Sequence, residues 1–196
     1  MMQNFRADIR RYREVGRDLR AWWFYAFFDP VVWAIAVYRF VKGVQKIRFA
    51  PLRWPFLLMY FFLSRLVEII SGARISPEAE IGPGLEIHNC GGIIIKAKMG
   101  KNCAVMQGAQ LIGRANNRGE GWPTVGDNVM IGAGAKVLGE VTIGNNVRVG
   151  ANAVVMCDVP DDSVVMPPES RIIKGFYKRK AKAAAAQASD NGEPQS

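Results

Sequence analysis

From Ile75 onward the chain repeats every six residues, and this period restricts its fold more tightly than any other feature. Aliphatic residues fall at Ile75, Ile81, Ile87, Ile93, Met99, Val105 and Leu111, then after an interruption at Val125, Ile131, Val137, Ile143, Val149 and Val155. Four residues after each comes a second small or aliphatic residue, as at Ala79, Leu85, Gly91, Ala135 and Ala153. Glycine often follows the first position, and Asn128, Asn145 and Asn152 stand where a corner is required. A helix repeats near 3.6 residues and an exposed-edge strand alternates with period two, so neither explains a period of six. Very short strands between sharp corners do, because Gly and Asn reach backbone angles that other residues avoid. Such strands cannot bury a face alone, and successive turns stack into a solenoid.

Charge divides the chain in the same places. Residues 1–53 carry eleven Arg and Lys against four acids, residues 54–170 nine against eleven, and residues 171–196 six against two. A nucleic-acid reader sets its basic residues on the folded face that docks phosphate. Here the repeat region is slightly acidic and the ends are basic, so no nucleic-acid partner is expected, and an anionic membrane surface suits the ends better. Three domains follow: a helical region at 1–73, membrane-associated or oligomerising; the repeat domain at 74–175; and a flexible basic, Ala-rich tail at 176–196.

In the first region, Asp29-Pro30 is a helix start, and a third helix follows Pro51. Neither candidate apolar run reads as a membrane span. Trp54 to Ser64 falls short of about 20 residues, and Ala21 to Tyr38 holds Asp29 at its middle, a cost of roughly 2.5–3.5 kcal/mol. A helical region lying on a surface, or packed between subunits, is expected instead. The three cysteines, Cys90, Cys103 and Cys157, have no metal-type spacing and read as reduced core or turn residues. No early apolar run marks a signal peptide, and a cytoplasmic protein, peripheral on the inner face of the membrane, is expected.

Several stretches resemble the hexapeptide-repeat acyltransferases, and within them the serine acetyltransferase branch. These are Asp29-Pro30, Tyr38-Arg39-Phe40, "ISPEAEIGPG" at residue 75, and "VGDNVMIGAGAKVLGEVTIGNNVRVGANAVV" from Val125. The resemblance implies a mainly β fold, a left-handed parallel β-helix of about four coils behind an α-helical N-terminal region. It also implies a homotrimer, acetyl-CoA as co-substrate and no metal. In that family a histidine takes the proton from an acceptor hydroxyl, which then attacks the thioester. Such a base is needed because an alcohol scarcely ionises at neutral pH, whereas imidazole titrates near about 6.5.

The only histidine of the chain is His88, in "IHNCGGIII". By register the family's base falls on Asn89, and His88 takes the place of an aspartate that binds the amino group of serine. His88 is therefore expected to act as base after a one-residue shift, with Asn89 beside it. Glu86, two residues earlier, either orients the ring or is solvated on the solenoid exterior. The resemblance places the donor against Ala133 and Ala151, with Arg148 near its nucleotide phosphates. Backbone amides at Gly91, Gly92 or Gly113 would meet the oxyanion.

"IGRANNRGEGWPTVGDNV" from residue 112 resembles a loop of capsular and exopolysaccharide acetyltransferases. Trp122 there offers an aromatic face to a sugar ring, or an anchor between coils. Transfer of acetyl to a saccharide hydroxyl in surface polysaccharide biosynthesis is thus the leading expectation. A serine O-acetyltransferase with a remodelled pocket, and a non-catalytic trimeric scaffold, are the alternatives.

Overall fold

The computed structural model describes residues 2–14, 29–47, 49–89, 91–116 and 119–169. Cys90 and the tail from 170 lie outside them. Three helices come first: α1 (Met2–Glu14), α2 (Pro30–Val44) and α3 (Ala50–Ser71). Helix α2 starts where the sequence indicates, with the Asp29 Oδ1 accepting from the Val31 amide at 3.0 Å and Pro30 in the first turn. Helix α3 ends at Gly72, whose φ of 62° is the left-handed stop that glycine takes without cost.

The remainder is a three-sided parallel solenoid. One face stacks β1 (Ala73–Ile75), β4 (Ile93–Ile95), β7 (Gln110–Ile112), β12 (Lys136–Leu138) and β15 (Val154–Val155). The second stacks β2 (Glu80–Ile81), β5 (Lys98–Met99), β10 (Thr124–Val125) and β13 (Thr142–Ile143). The third stacks β3 (Glu86–His88), β6 (Ala104–Met106), β11 (Met130–Ile131), β14 (Arg148–Val149) and β16 (Val164–Val165). Two faces have five strands, so the solenoid makes about five coils rather than the expected four. The interruption in the repeat is a small antiparallel hairpin, β8 (Arg114–Asn116) with β9 (Gly119–Gly121), set between β7 and β10.

Every aliphatic position of the six-residue series is buried, from Ile75 to Val155. So is the second series, apart from Gly91, which is exposed at the corner after β3. The corner between the second and third faces repeats one device. Asn102, Asn128, Asn146 and Asp162 stand there with φ of 54–57°. Asn145, read from sequence as a corner residue of this kind, instead accepts the Asp127 amide through its side chain at 2.8 Å.

A solenoid must close its ends, because an edge coil exposes unpaired backbone groups. The helices supply this at the first coil. Tyr38 donates its hydroxyl to the Ala79 carbonyl at 2.9 Å and accepts from the Ile81 amide at 3.1 Å. Arg39 donates to the carbonyls of Ile81 and Gly82 at 2.7 and 2.6 Å. Asp8 of α1 pairs with Arg39 at 2.9 Å and accepts the amides of Gly84 and Leu85 at 2.7 and 2.9 Å. All three side chains are buried and mutually satisfied.

Candidate active site

Strand β3 sets the site. Ile87 turns into the core at 2 % exposure, so its neighbours Glu86 and His88 point outward on the same side. The outward face is not open solvent at Glu86. Helix α1 crosses there, and Glu86 is 4 % exposed. The expectation of a solvated Glu86 is corrected: α1, far away in sequence, covers it. Its carboxylate is divided between two partners. Oε2 accepts from Arg11 Nε at 3.0 Å, and Oε1 lies 3.1 Å from His88 Nε2. The His88 side chain keeps 34 % exposure, so the ring is held at one nitrogen and open elsewhere.

Held this way, Nε2 carries the hydrogen toward Glu86 and Nδ1 presents its lone pair. A carboxylate that fixes the tautomer in this manner is what a general base requires. No register shift is involved. His88 pairs with Met106 of β6 as the six-residue spacing dictates. The irregularity comes after it, where Asn89, Gly91 and Gly92 have φ of 60°, 113° and 67°. At the two later corners of this edge, the amides of Gly134 and Asn152 bond the carbonyls of Gln107 and Ala133, two places after the aliphatic position; Gly108 bonds Gly91, four places after it. This corner is longer in reach and abuts the end of α3: the Gly91 amide donates to the Ser71 carbonyl at 2.9 Å. That amide is therefore committed and not an oxyanion donor, contrary to the sequence expectation. Asn89 is a corner residue whose Nδ2 reaches Gln107 Oε1 at 3.5 Å.

The same edge of the solenoid carries the expected donor residues. Passing down it from Asn89, the corners hold Gln107, Ala133 and Ala151, with Arg148 on the adjoining β14, exposed and reaching the Asn128 carbonyl at 3.4 Å. Gly113 and Trp122 do not join them. They stand at the opposite edge of the β1-β4-β7-β12-β15 face, beside the hairpin, where a side chain at Gly113 would strike the Gly121 carbonyl and the Trp122 ring. The Lys96 ammonium sits 4.7 Å from the centre of that ring. Arg11 and Asp8 were invisible to sequence reasoning, since only a contact across 75 residues or more gives them meaning.

A three-sided parallel solenoid with a carboxylate–imidazole pair on one edge defines a hexapeptide transferase. Residues 123–156 match the family described as bacterial transferase hexapeptide (six repeats). The serine acetyltransferase of Synechocystis sp. is 38 % identical over 175 residues, covering 88 % of this chain and 68 % of its own length. That of Helicobacter pylori strain 26695 is 35 % identical over 171 residues, covering 85 % and 94 %. Among solved structures, Entamoeba histolytica serine acetyltransferase isoform 3 in complex with cysteine superposes with a TM-score of 0.70 at 25 % identity, covering 91 % of this chain and 63 % of that one. A serine acetyltransferase in complex with CoA gives 0.70 at 25 %, covering 87 % and 68 %.

The chain belongs to the serine acetyltransferase family and is an acyltransferase of the left-handed β-helix class. The expected saccharide acceptor, and with it a role in polysaccharide biosynthesis, is corrected by these relatives, all of which are serine acetyltransferases. The loop that suggested a sugar is a hairpin packed on the solenoid, and Lys96 already covers a face of the Trp122 ring.

Proposed function

We propose that the protein transfers the acetyl group of acetyl-CoA to the hydroxyl of serine, with His88 as general base and Glu86 fixing the ring. The observation that carries this reading is the Glu86–His88 contact at 3.1 Å, placed on the segment where the family's active site falls. Nδ1 of His88 takes the hydroxyl proton as the oxygen attacks the thioester carbonyl. The tetrahedral oxyanion then collapses, expelling the CoA thiolate, which recovers the proton from the imidazolium. The pantetheine arm lies along Ala133 and Ala151, whose small side chains leave a shallow edge, and Arg148 faces the phosphates. Because His88 replaces the family's aspartate, the serine amino group meets a pocket of changed polarity. The groove is completed by neighbouring copies in a homotrimer.

The reading is tested by CoA release, followed with a thiol reagent, from acetyl-CoA and L-serine. His88→Ala should lower kcat by about 10²–10⁴-fold, and Asn89→Ala should leave it within a small factor. Serine-independent background release alone, or loss with Asn89→Ala and retention with His88→Ala, rejects the proposal.

A further inference from the structure

Helix α3 presents a face that the protein itself does not cover. Its inner side packs on α2 and β1 through Val67 and Ser71, both buried. Its outer side carries Trp54, Leu58, Phe62, Leu66, Ile69 and Ile70, with exposures from 47 % to 83 %. The stretch Arg53–Ser71 is long and apolar enough to cross a membrane by length and composition, yet only 11 % of it is buried. In the sequence the uncharged run ends at Ser64, before Arg65. The structure shows that Arg65 is paired with Glu68 at 2.9 Å and its guanidinium lies 5.7 Å from the Phe61 ring centre, so it interrupts the apolar face little.

We propose that this face lies on an anionic lipid surface and anchors the enzyme there. Three observations select lipid over a second copy of the chain. With Phe61 and Leu63, which are also exposed, the apolar residues spread over about 200° of the helix at 3.6 residues per turn, whereas a partner helix covers only a narrow seam; a lipid surface covers the whole width. The face is rich in aromatics, and its ends are flanked by exposed Lys46, Arg53 and Arg74, the composition of the membrane–water boundary. Of the eleven cations in residues 1–53, Arg11 and Arg39 are taken up by Glu86 and Asp8; the other nine stand against three remaining acids, an excess complementary to acidic headgroups.

The helix meets the bilayer side-on. It cannot span while Val67 and Ser71 are packed on the rest of the protein and the helix end is tied to the solenoid, the Gly91 amide donating to the Ser71 carbonyl at 2.9 Å and the Ile93 amide to the Gly72 carbonyl at 3.1 Å. Insertion across the membrane would strip those contacts. The protein is therefore peripheral, with the solenoid and His88 on the aqueous side.

The test is flotation of the full chain with phosphatidylcholine vesicles and with vesicles in which phosphatidylserine replaces part of the lipid. The protein should float with the anionic vesicles and much less with the neutral ones. Phe62→Ser combined with Ile69→Ser should lower the bound fraction at least about tenfold, since both side chains would leave the acyl boundary. Arg53→Gln, which leaves the apolar face intact, should weaken binding about fivefold. Both changes are at exposed positions, so the unfolding midpoint should not move. Wild-type protein that stays with the aqueous fraction in both vesicle types overturns the proposal, as does binding unaffected by the double substitution. A larger soluble assembly that falls apart on the double substitution, without vesicle binding, also overturns it and assigns the face to a second copy.

Discussion

Glu86 has two partners, and each asks something different of it. His88 needs a carboxylate to hold its ring, and Arg11 gives that carboxylate a counter-charge where it is nearly shut off from water. Replacing Arg11 by Ala should cost about 1–3 kcal/mol of stability, the range for a hydrogen bond to a buried charged group, measured by urea unfolding. Glu86→Gln is the sharper case. The amide keeps the size and one acceptor but supplies no charge to stabilise the imidazolium, so kcat should fall while KM for acetyl-CoA stays nearly unchanged. A matching rise in KM, or an unfolding midpoint that falls as far as the activity, would leave Glu86 with a structural role only. The sequence shows that His88 and Glu86 share one side of a strand, because alternation alone decides that. It does not show that the side is roofed. Burial of Glu86 depends on α1 crossing β3, and no local pattern encodes a contact between residues 11 and 86.

Among the elements, the corners and the end cap are the two devices that make the solenoid possible, and they differ in how openly the sequence writes them. Corners are written plainly as Gly and Asn at fixed offsets. A Cβ at Gly82 would lie 2.5 Å from the Gly100 carbonyl oxygen, against backbone that cannot yield, so Gly82→Ala should destabilise by about 1–3 kcal/mol. The cap is written only as Tyr38-Arg39, a motif whose meaning appears when both side chains are seen sealing β2 and Asp8 is seen holding Arg39. Asp8→Ala leaves the Arg39 guanidinium and two amides buried without their acceptor. A loss of about 3–5 kcal/mol is expected, read as a lower urea midpoint with early loss of amide-exchange protection in β2 and β3. At the far end, Asp161 accepts the Asn145 amide at 2.7 Å and its side-chain amide at 3.2 Å, which together hold its carboxyl below the usual range. A carboxylate with a lowered folded pKa stabilises above its unfolded value and loses that contribution as pH falls through the folded one. Asp161→Asn should therefore lower the unfolding midpoint modestly at neutral pH and leave it almost unchanged in acid, so that the acid limb flattens, as followed by thermal unfolding from neutral to acid conditions.

Taken as a whole, the molecule has its proposed chemistry on one edge and the hairpin with Gly113 and Trp122 on another, and one chain cannot bring the two together. His88, Ala133 and Ala151 line the edge between the β3 and β4 faces, and Trp122 stands with Gly113 across the intervening sheet. If both edges contribute to one groove, they come from different copies, as closed three-fold symmetry permits. The arrangement has a consequence that can be counted. His88→Ala and Trp122→Ala should each be impaired alone, the first in kcat and the second in KM for an acceptor or the donor. When the two variants are unfolded together, refolded and reassembled in equal amounts, random assembly joins a chain with intact His88 to a neighbour with intact Trp122 at about a quarter of the grooves. Activity should thus return to about a quarter of the wild-type value. If each groove were built within one chain, every groove would retain one lesion, and the mixture would never exceed the average of the two variants measured separately. Size-exclusion chromatography coupled to light scattering, run on the same mixture, checks that reassembled trimers are what is assayed.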